Sequence, residues 1–237
     1  MKVGIHQINY FPWLGYFDKI AKSDIFILMD DVQLTDSGMM QRNRVLNRNG
    51  EPSYITVAFE KKDYLKKPFM NIGINNNVDW QKRQYNFLYD VYHKFPMWDE
   101  VYNLVNPIFE EKYDSLQQVN LRALYIMCDI LEIDTSKFVF QSKIEYDIDG
   151  KKNDLVLNLC KAVDADIYLS GNGAKKYMDI STFEKEGIEV QFQKFNQPIY
   201  SQAYSKEFVS GLSILDVLFN CGIKETKELF WNNMTQE

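Results

Sequence analysis

The opening segment, residues 1–30, constrains the fold most, because strand and helix patterns alternate there over a very short span. Residues 3–5 are apolar and precede the polar pair His6-Gln7, which predicts a short strand ending at His6. From residue 13 to residue 22 apolar side chains recur at helical spacing, and Pro12 suits the first turn of that helix. Residues 25–29 are a continuous apolar run, typical of a strand buried on both faces of a parallel sheet. This spacing predicts a compact βαβ unit.

Strand and helix patterns continue to alternate beyond this unit. An alternating segment at residues 53–59 follows a long polar stretch, which predicts a loop or hairpin inserted after the second strand. Residues 79–132 are predicted to be mostly helical. The other predicted elements are strands at 138–141, 167–169 and 190–195, and helices at 154–163, 214–220 and 224–230. We therefore expect one α/β domain over residues 1–237, with a mainly parallel, Rossmann-like sheet flanked by helices and a helical middle and C-terminal part.

The composition excludes several functional classes. The net charge is −6 and no block of lysine and arginine stands out, which argues against nucleic-acid binding. No run reaches the roughly 18 apolar residues that span a bilayer, and the first residues show no apolar signal core, so we expect no membrane insertion and a cytoplasmic location. The three cysteines are interpreted as buried thiols in helices. The expected partner is a small molecule, and the sequence favours no oligomeric state.

His6 is the first candidate catalytic residue, because it directly follows the first predicted strand. In open α/β sheets, ligands bind outside the carboxyl ends of the strands. A histidine there can act as a general acid or base, or donate a hydrogen bond to a phosphate. We expect its imidazole to be neutral near pH 7, because the positive end of the following helix disfavours a charged ring. The structural alternative is a histidine that only caps the strand.

Asp30-Asp31 follows the second predicted strand, and its carboxylates could serve the same edge of the sheet. They could hold Mg²⁺, bind a ribose hydroxyl or orient an amine. Asp31 is accordingly the second catalytic candidate. The alternative is that both aspartates cap the turn that follows them.

Two segments could bind an anion. Arg42 and Arg44 flank Asn43, and they point the same way only if the backbone there is extended. The turn at residues 170–173 follows a predicted strand and contains two glycines, so its backbone N–H groups could hold a phosphate. A solvated loop and a tight strand-to-helix turn are the respective structural alternatives. The chain has no HExxH, CxxC or GxSxG motif, and no metal ligands are predicted.

The sequence of residues 6–20, HQINYFPWLGYFDKI, closely resembles the signature of the WbqC-like family. Later blocks that also resemble this family are residues 30–33, 42–44, 169–177 and 213–222. The chain departs from the family pattern at Ile8, where the family usually has proline, and at residues 38–40, where a more polar or aromatic stretch is expected. The resemblance implies an association with gene clusters for O-antigen, the surface part of lipopolysaccharide, and a glycine- or aminoacyl-transferase activity for some members.

The matching blocks contain the candidate site residues. His6 and Asp31 are the candidate catalytic residues. The candidate substrate-binding residues are Gln7, Asn9, Tyr10, Trp13, Gly15, Asp30, Gln33, Arg42, Asn43, Arg44, Ser170, Gly171, Asn172, Lys175 and Tyr177.

Residues 1–60 are also similar in layout to nucleotidylyltransferases that carry an HxGH motif. In those enzymes histidines at a helix N-terminus stabilise the transferring phosphate. The corresponding positions here read Trp13-Leu14-Gly15-Tyr16, so both motif histidines are absent. The layout predicts nucleotide binding without that chemistry.

Three functional hypotheses follow. The first is a transferase that modifies a nucleotide-linked amino sugar by aminoacyl, glycine or acyl transfer to its amine. The second is a nucleotidylyltransferase or adenylate-forming enzyme, which should require Mg²⁺ and release pyrophosphate. The third is a non-catalytic binding protein of a polysaccharide assembly complex. A nucleotide or nucleotide sugar is the expected ligand under the first two hypotheses.

Overall fold

The central sheet has five strands, and all four strand pairs in it are parallel. A computed structural model describes residues 1–35, 38–147 and 152–234. The strands of the described chain are β1 Lys2–Gln7, β2 Ile25–Met29, β3 Arg42–Leu46, β4 Pro52–Thr56, β5 Phe138–Phe140, β6 Ile167–Ser170 and β7 Glu189–Phe192. The sheet order is β5-β2-β1-β6-β7, and β3 and β4 form a separate antiparallel pair. The predicted α/β fold with a mainly parallel, Rossmann-like sheet is confirmed.

The strand order reverses direction between β1 and β6. The chain first builds outward from β1 to β2 and β5, and it then returns to the other side of β1 for β6 and β7. The strands predicted to end at His6, Met29 and Leu169 therefore share one sheet and one edge, as expected. Such a reversal leaves a crevice outside the carboxyl ends of the two strands that flank it.

Seven helices surround the sheet in the described chain. They are α1 Leu14–Ala21, α2 Trp80–Tyr92, α3 Trp98–Glu110, α4 Leu116–Ile130, α5 Asn153–Ala162, α6 Ile180–Lys185 and α7 Ile214–Met234. Short 3₁₀ turns occur at Tyr64–Lys66, Phe69–Asn71, Gln141–Lys143 and Asn172–Lys176. None of these described helices is long and apolar enough to cross a membrane.

The two short C-terminal helices predicted from the sequence are the two halves of α7, and non-helical Gly222 separates them. This glycine has φ 80° and ψ 174°, which is not a helical conformation and would strain any residue that has a side chain. A Cβ atom there would also lie 2.6 Å from the Met97 sulfur. The glycine thus ends the first half of α7 and lets the second half begin close to α3.

The hairpin predicted after the second strand is present, and its first strand lies within the polar stretch. β3 alternates between buried Asn43 and Val45 on one face and partly exposed Arg42 and Arg44 on the other. This alternation is the pattern of a strand with one face on the core.

The sheet separates two apolar clusters. Phe26 and Leu28 of β2 face the larger one, which is shared with α1 to α4, the hairpin and α7. Ile27 points to the opposite face, where the smaller cluster forms against α5 and α6. Both faces of β2 are therefore covered, which explains its uninterrupted apolar sequence.

Asp216 joins the hairpin, α2 and the C-terminal part of the chain. Its carboxylate accepts hydrogen bonds from the Tyr92 hydroxyl at 2.8 Å, the Tyr200 hydroxyl at 2.8 Å and the Leu46 backbone N–H at 3.2 Å. Asp216 is fully buried, and burial raises its pKa above the ordinary value although these donors oppose the shift. The Gln202 side chain also donates to it at 3.3 Å, so the carboxylate is the shared acceptor for four donors.

We expect Asp216→Ala to lower the free energy of unfolding by about 3–5 kcal/mol, because it leaves the donors of Tyr92, Tyr200 and Leu46 without this acceptor, whereas Gln202 keeps the Val209 carbonyl. Asp216→Asn keeps one acceptor oxygen at this position and should cost less. Urea unfolding of the three proteins measures both effects. Equal stability of Asp216→Ala and wild type would show that the donors find other acceptors.

Candidate functional site

The loop that leaves β1 is held by buried amides from two other parts of the fold. The Asn43 side chain in β3 donates to the carbonyls of Tyr10 at 3.1 Å and Phe11 at 2.7 Å. The Asn120 side chain in α4 donates to the Ile8 carbonyl at 2.7 Å. These bonds satisfy carbonyls that lie in the protein interior, where an unpaired one would be costly.

The start of α7 supports the same loop. The Ser213 hydroxyl donates to the Phe11 carbonyl at 2.9 Å, and the Ile214 N–H donates to the Pro12 carbonyl at 2.9 Å. Phe11 has a positive φ of 40°, which is unusual for a residue with a side chain. Its carbonyl accepts from both Asn43 and Ser213, so the strained backbone is fixed from two sides.

A cavity of about 600 Å³ lies where the strand order reverses, at the carboxyl ends of β1 and β6. Its walls include His6, Gln7, Ser170, Gly171 and Tyr177, so the structure brings together five of the residues predicted from the sequence. None of the described lining residues is an aspartate or glutamate. The cavity therefore favours a neutral or anionic ligand over a cation.

Lys19 also lines this cavity, and the sequence analysis did not identify it. The parallel pairing of β1 with β6 ends at Gly4 and Leu169, and beyond that point the Ile5 carbonyl accepts from the Lys19 ammonium at 2.7 Å. Lys19 is 3% exposed, and burial lowers its pKa to about 7. The only sequence signal is a lysine within a short helix that lies between two buried strands.

His6 lies at the same edge and is partly buried. Its Nδ1 is 3.0 Å from the Gln7 carbonyl, and its ring packs edge-on against Tyr16 at 4.8 Å between centroids. Burial, and next the nearby Lys19, lower the His6 pKa to about 4. The imidazole is therefore neutral near pH 7, as expected, with burial and Lys19 as the causes. A proton on Nδ1, bonded to the Gln7 carbonyl, leaves Nε2 as an acceptor.

The two aspartates after β2 differ in their surroundings. Asp30 is 2% exposed, and its carboxylate accepts from the Ser142 N–H at 2.9 Å and the Ser142 hydroxyl at 2.7 Å. It therefore caps the turn after β5. Asp31 is exposed and precedes Val32, a wall residue of the cavity, while exposed Gln33 pairs through its backbone with Pro68.

Arg42 and Arg44 lie on one face of β3, because the backbone is extended as the anion-site hypothesis required. The Arg42 guanidinium stacks over the Tyr54 ring at 4.3 Å, and Arg44 Nη2 donates to the Gly211 carbonyl at 3.4 Å. Neither arginine lines the cavity that contains His6. The structure thus separates the two candidate anion sites.

Four predicted residues of the first block pack within the protein. The Tyr10 hydroxyl donates to Gln84 at 2.8 Å, and Asn9 is 8% exposed. Trp13 packs edge-on against Phe195, and a Cβ atom on Gly15 would lie 2.3 Å from the Trp13 ring. Gly15 is therefore required by close packing.

The turn after β6 presents its residues differently. The Asn172 side chain donates to the Gln193 carbonyl at 2.7 Å, and Lys175 lies over the Phe192 ring at 5.1 Å. Tyr177 is 69% exposed at the rim of the cavity. A Cβ atom on Gly171 would meet nothing within 4 Å, so this turn faces open space. Within the described ranges, no group of three or more histidine, cysteine, aspartate or glutamate residues could hold a metal ion.

Comparison with known proteins gives matches over most of the chain. The model of the WbqC-like protein family matches residues 7–228. The protein named "Uncharacterized protein Rv1507c" from Mycobacterium tuberculosis (strain ATCC 25618 / H37Rv) is 33% identical over 223 residues, which cover 93% of this chain and 94% of that protein. No solved structure gives a significant match.

The low pKa of Lys19 predicts how stability depends on pH. Below pH 7 the amine is charged in both the folded and unfolded states, and the folded state carries the full cost of a buried charge. Above pH 7 only the unfolded state keeps the proton, so this cost decreases as pH rises. We expect the free energy of unfolding of wild type, relative to Lys19→Met, to increase by roughly 2–3 kcal/mol from pH 7 to pH 9.

Urea unfolding at a series of pH values measures this difference. Lys176→Met is the matched control, because Lys176 is exposed and its removal should leave the pH dependence of wild type unchanged. Parallel curves for wild type and Lys19→Met would show that the Lys19 pKa is not lowered in the folded protein.

Proposed function

The chain belongs to the WbqC-like protein family, and we propose that it is a transferase that modifies the amine of a nucleotide-linked amino sugar in surface polysaccharide (O-antigen) biosynthesis. The transferred group is a glycyl, another aminoacyl or an acyl group. The observation that carries the proposal is the cavity at the carboxyl ends of β1 and β6, with His6 in its wall and no carboxylate among its described lining residues.

The size and charge of the cavity suit such a substrate. A volume of about 600 Å³ lies within the usual range for small-molecule sites, roughly 300–1,000 Å³. The diphosphate of a nucleotide sugar is anionic, and an acid-free wall avoids repulsion. The open turn at Gly171 and exposed Tyr177 leave room for a sugar at the rim.

His6 is positioned to assist the transfer. The substrate amine attacks the carbonyl carbon of the donor, a C–N bond forms, and the leaving group departs with the electron pair of its bond. The nitrogen must lose a proton, and the free Nε2 of neutral His6 can accept the hydrogen bond or the proton. Exposed Asp31, next to a wall residue, is the second candidate for this role.

A thermal-shift screen tests the proposal with the full chain. Nucleotide sugars with a free amine, their N-acylated forms, nucleotides and amino acids are compared, each with and without Mg²⁺. A ligand that binds the folded state raises the melting temperature by mass action. We expect the amino-sugar nucleotides to raise it without a need for Mg²⁺. A Mg²⁺-dependent shift with nucleoside triphosphates, together with pyrophosphate release, would instead favour the nucleotidylyltransferase or adenylate-forming hypothesis.

We expect Gly171→Leu to abolish the ligand-induced shift while it leaves the melting temperature of the free protein nearly unchanged. Gly171 has φ −71°, which leucine can adopt, and its new side chain would extend into open space at the cavity wall. Retained binding in this variant would locate the substrate elsewhere, with the Arg42 and Arg44 face as the next candidate.

His6→Ala should lower turnover by about 10²–10⁴-fold with little change in substrate affinity, the usual span for a general acid or base. His6→Gln preserves a hydrogen-bonding group but cannot exchange protons. Steady-state kinetics of both variants, with the product followed by mass spectrometry, separate these roles. If His6→Gln keeps most of the turnover, His6 only orients the substrate. If both variants are fully active, the proposal that His6 assists the reaction is wrong.

A further inference from the structure

We propose that the Lys19 amine, held at the split between β1 and β6, is the binding group for a phosphate of the ligand. The assignment of that phosphate to a nucleotide sugar rests on the proposed function, whereas the anion site itself depends only on the residues described below.

The position of Lys19 follows from the sheet. Where β1 and β6 separate after Gly4 and Leu169, the Ile5 carbonyl no longer has a partner strand on that side. The Lys19 ammonium donates to that carbonyl at 2.7 Å, and Lys19 lines the cavity at this split. In sheets of this topology, that crevice is where ligands bind.

Among the described residues, the Ile5 carbonyl is the only hydrogen-bond acceptor of the Lys19 amine. A charged ammonium has three N–H donors, and the Ile5 carbonyl accepts one of them. Lys19 has no ion pair with a carboxylate among the described residues. The neighbouring Asp18 is engaged with Lys22 at 2.9 Å and with the Gln193 side chain at 2.6 Å.

The titratable groups recorded next to Lys19 supply no negative charge, and Lys152, the other charged residue in the described cavity wall, is a cation. His6 of β1 is neutral near pH 7, because burial and Lys19 lower its pKa. Cys160 of α5 is near Lys19, and burial raises its pKa to about 12, so it remains a thiol. Tyr168 of β6 lies with its ring centroid 5.8 Å from the Lys19 nitrogen, and burial raises its pKa well above the ordinary value.

An anionic ligand would supply the negative charge that the described residues do not give to Lys19. Burial lowers the pKa of Lys19 to about 7, so this amine without a counter-charge is charged below neutral pH and becomes largely uncharged as the pH rises above 7. A phosphate at the free donors would favour the charged form and form charge-assisted hydrogen bonds. Binding is therefore expected to take up a proton on Lys19. No bond is made or broken, and the proton comes from solvent.

Of the two anion sites considered from the sequence, the position of Lys19 favours the turn after β6. Arg42 and Arg44 lie on the hairpin, and neither lines the cavity. The turn at Ser170 and Gly171 does line it, on the β6 side of the split. Lys19 and this turn therefore flank the same space.

Isothermal titration with inorganic pyrophosphate tests the site without any assumption about the sugar or the base. At about pH 6.5 we expect wild type to bind roughly 10–100-fold more tightly than Lys19→Met, the range for one charge-assisted hydrogen-bonding group. This advantage should shrink towards parity by about pH 9, since the free amine must then be protonated at a growing cost. Protonation of pyrophosphate itself is common to both proteins and cancels in the ratio.

Three further measurements make the test specific. Lys176→Met removes an equal charge from an exposed position and should keep the pH dependence of wild type. Thermal unfolding checks that Lys19→Met is folded. Titration of wild type and Lys19→Met in buffers with different ionisation enthalpies at about pH 8 should show that wild type takes up roughly 0.4–0.8 proton more per pyrophosphate bound, because proton exchange by pyrophosphate itself is common to both proteins.

The outcomes separate this inference from the proposed function. Pyrophosphate binding that is equal in wild type and Lys19→Met at every pH would overturn the inference, as would weakening by Arg44→Ala alone. If a nucleotide sugar binds and reacts under those conditions, the proposed function stands without the Lys19 site. Lys19-dependent pyrophosphate binding without binding of any nucleotide sugar would support the anion site and contradict the proposed function.

Discussion

The hydrogen bonds that Asn43, Asn120 and Ser213 donate to the loop after β1 are the interactions on which the rest of the structure depends. The donor groups of these three side chains are directed to the carbonyls of residues 8–11, so they are not directed to a ligand. Each bond contributes about 1 kcal/mol net, but an unpaired carbonyl in the same place costs about 1–3 kcal/mol. The hairpin, α4 and α7 are thereby attached to the one segment that connects β1 to α1.

This attachment determines the geometry of the cavity. The loop sets where α1 begins, and α1 carries Lys19 into the split between β1 and β6. The same helix places Tyr16 against the His6 ring. Two basic groups with lowered pKa values therefore lie at one edge because a short, fixed loop turns the chain back along the sheet. The acid-free wall of the cavity and the reversal of strand order coincide at this edge.

The sequence predicts those features that depend on local pattern. The apolar run at residues 25–29 indicated a strand covered on both faces, and the resulting parallel sheet placed His6 and Ser170 at the same edge. Lys19 could not be predicted, because its role depends on where two strands far apart in the chain stop pairing. Asn43 was predicted to bind substrate, and its side-chain amide donates to two backbone carbonyls. A sequence pattern cannot distinguish a side chain that binds backbone carbonyls from one that binds a ligand, since both are polar residues next to a strand.

The contact between Ser213 and the Phe11 carbonyl joins residues that are 202 positions apart. A ribosome makes the chain from the N-terminus, so β1, α1, β2 and the hairpin are synthesised before Ser213. The strained backbone at Phe11 lacks one of its two supports until then. Residue 213 must therefore be synthesised before the loop after β1 gains all of its support, and a product that ended before it would lack the Ser213 contact at Phe11.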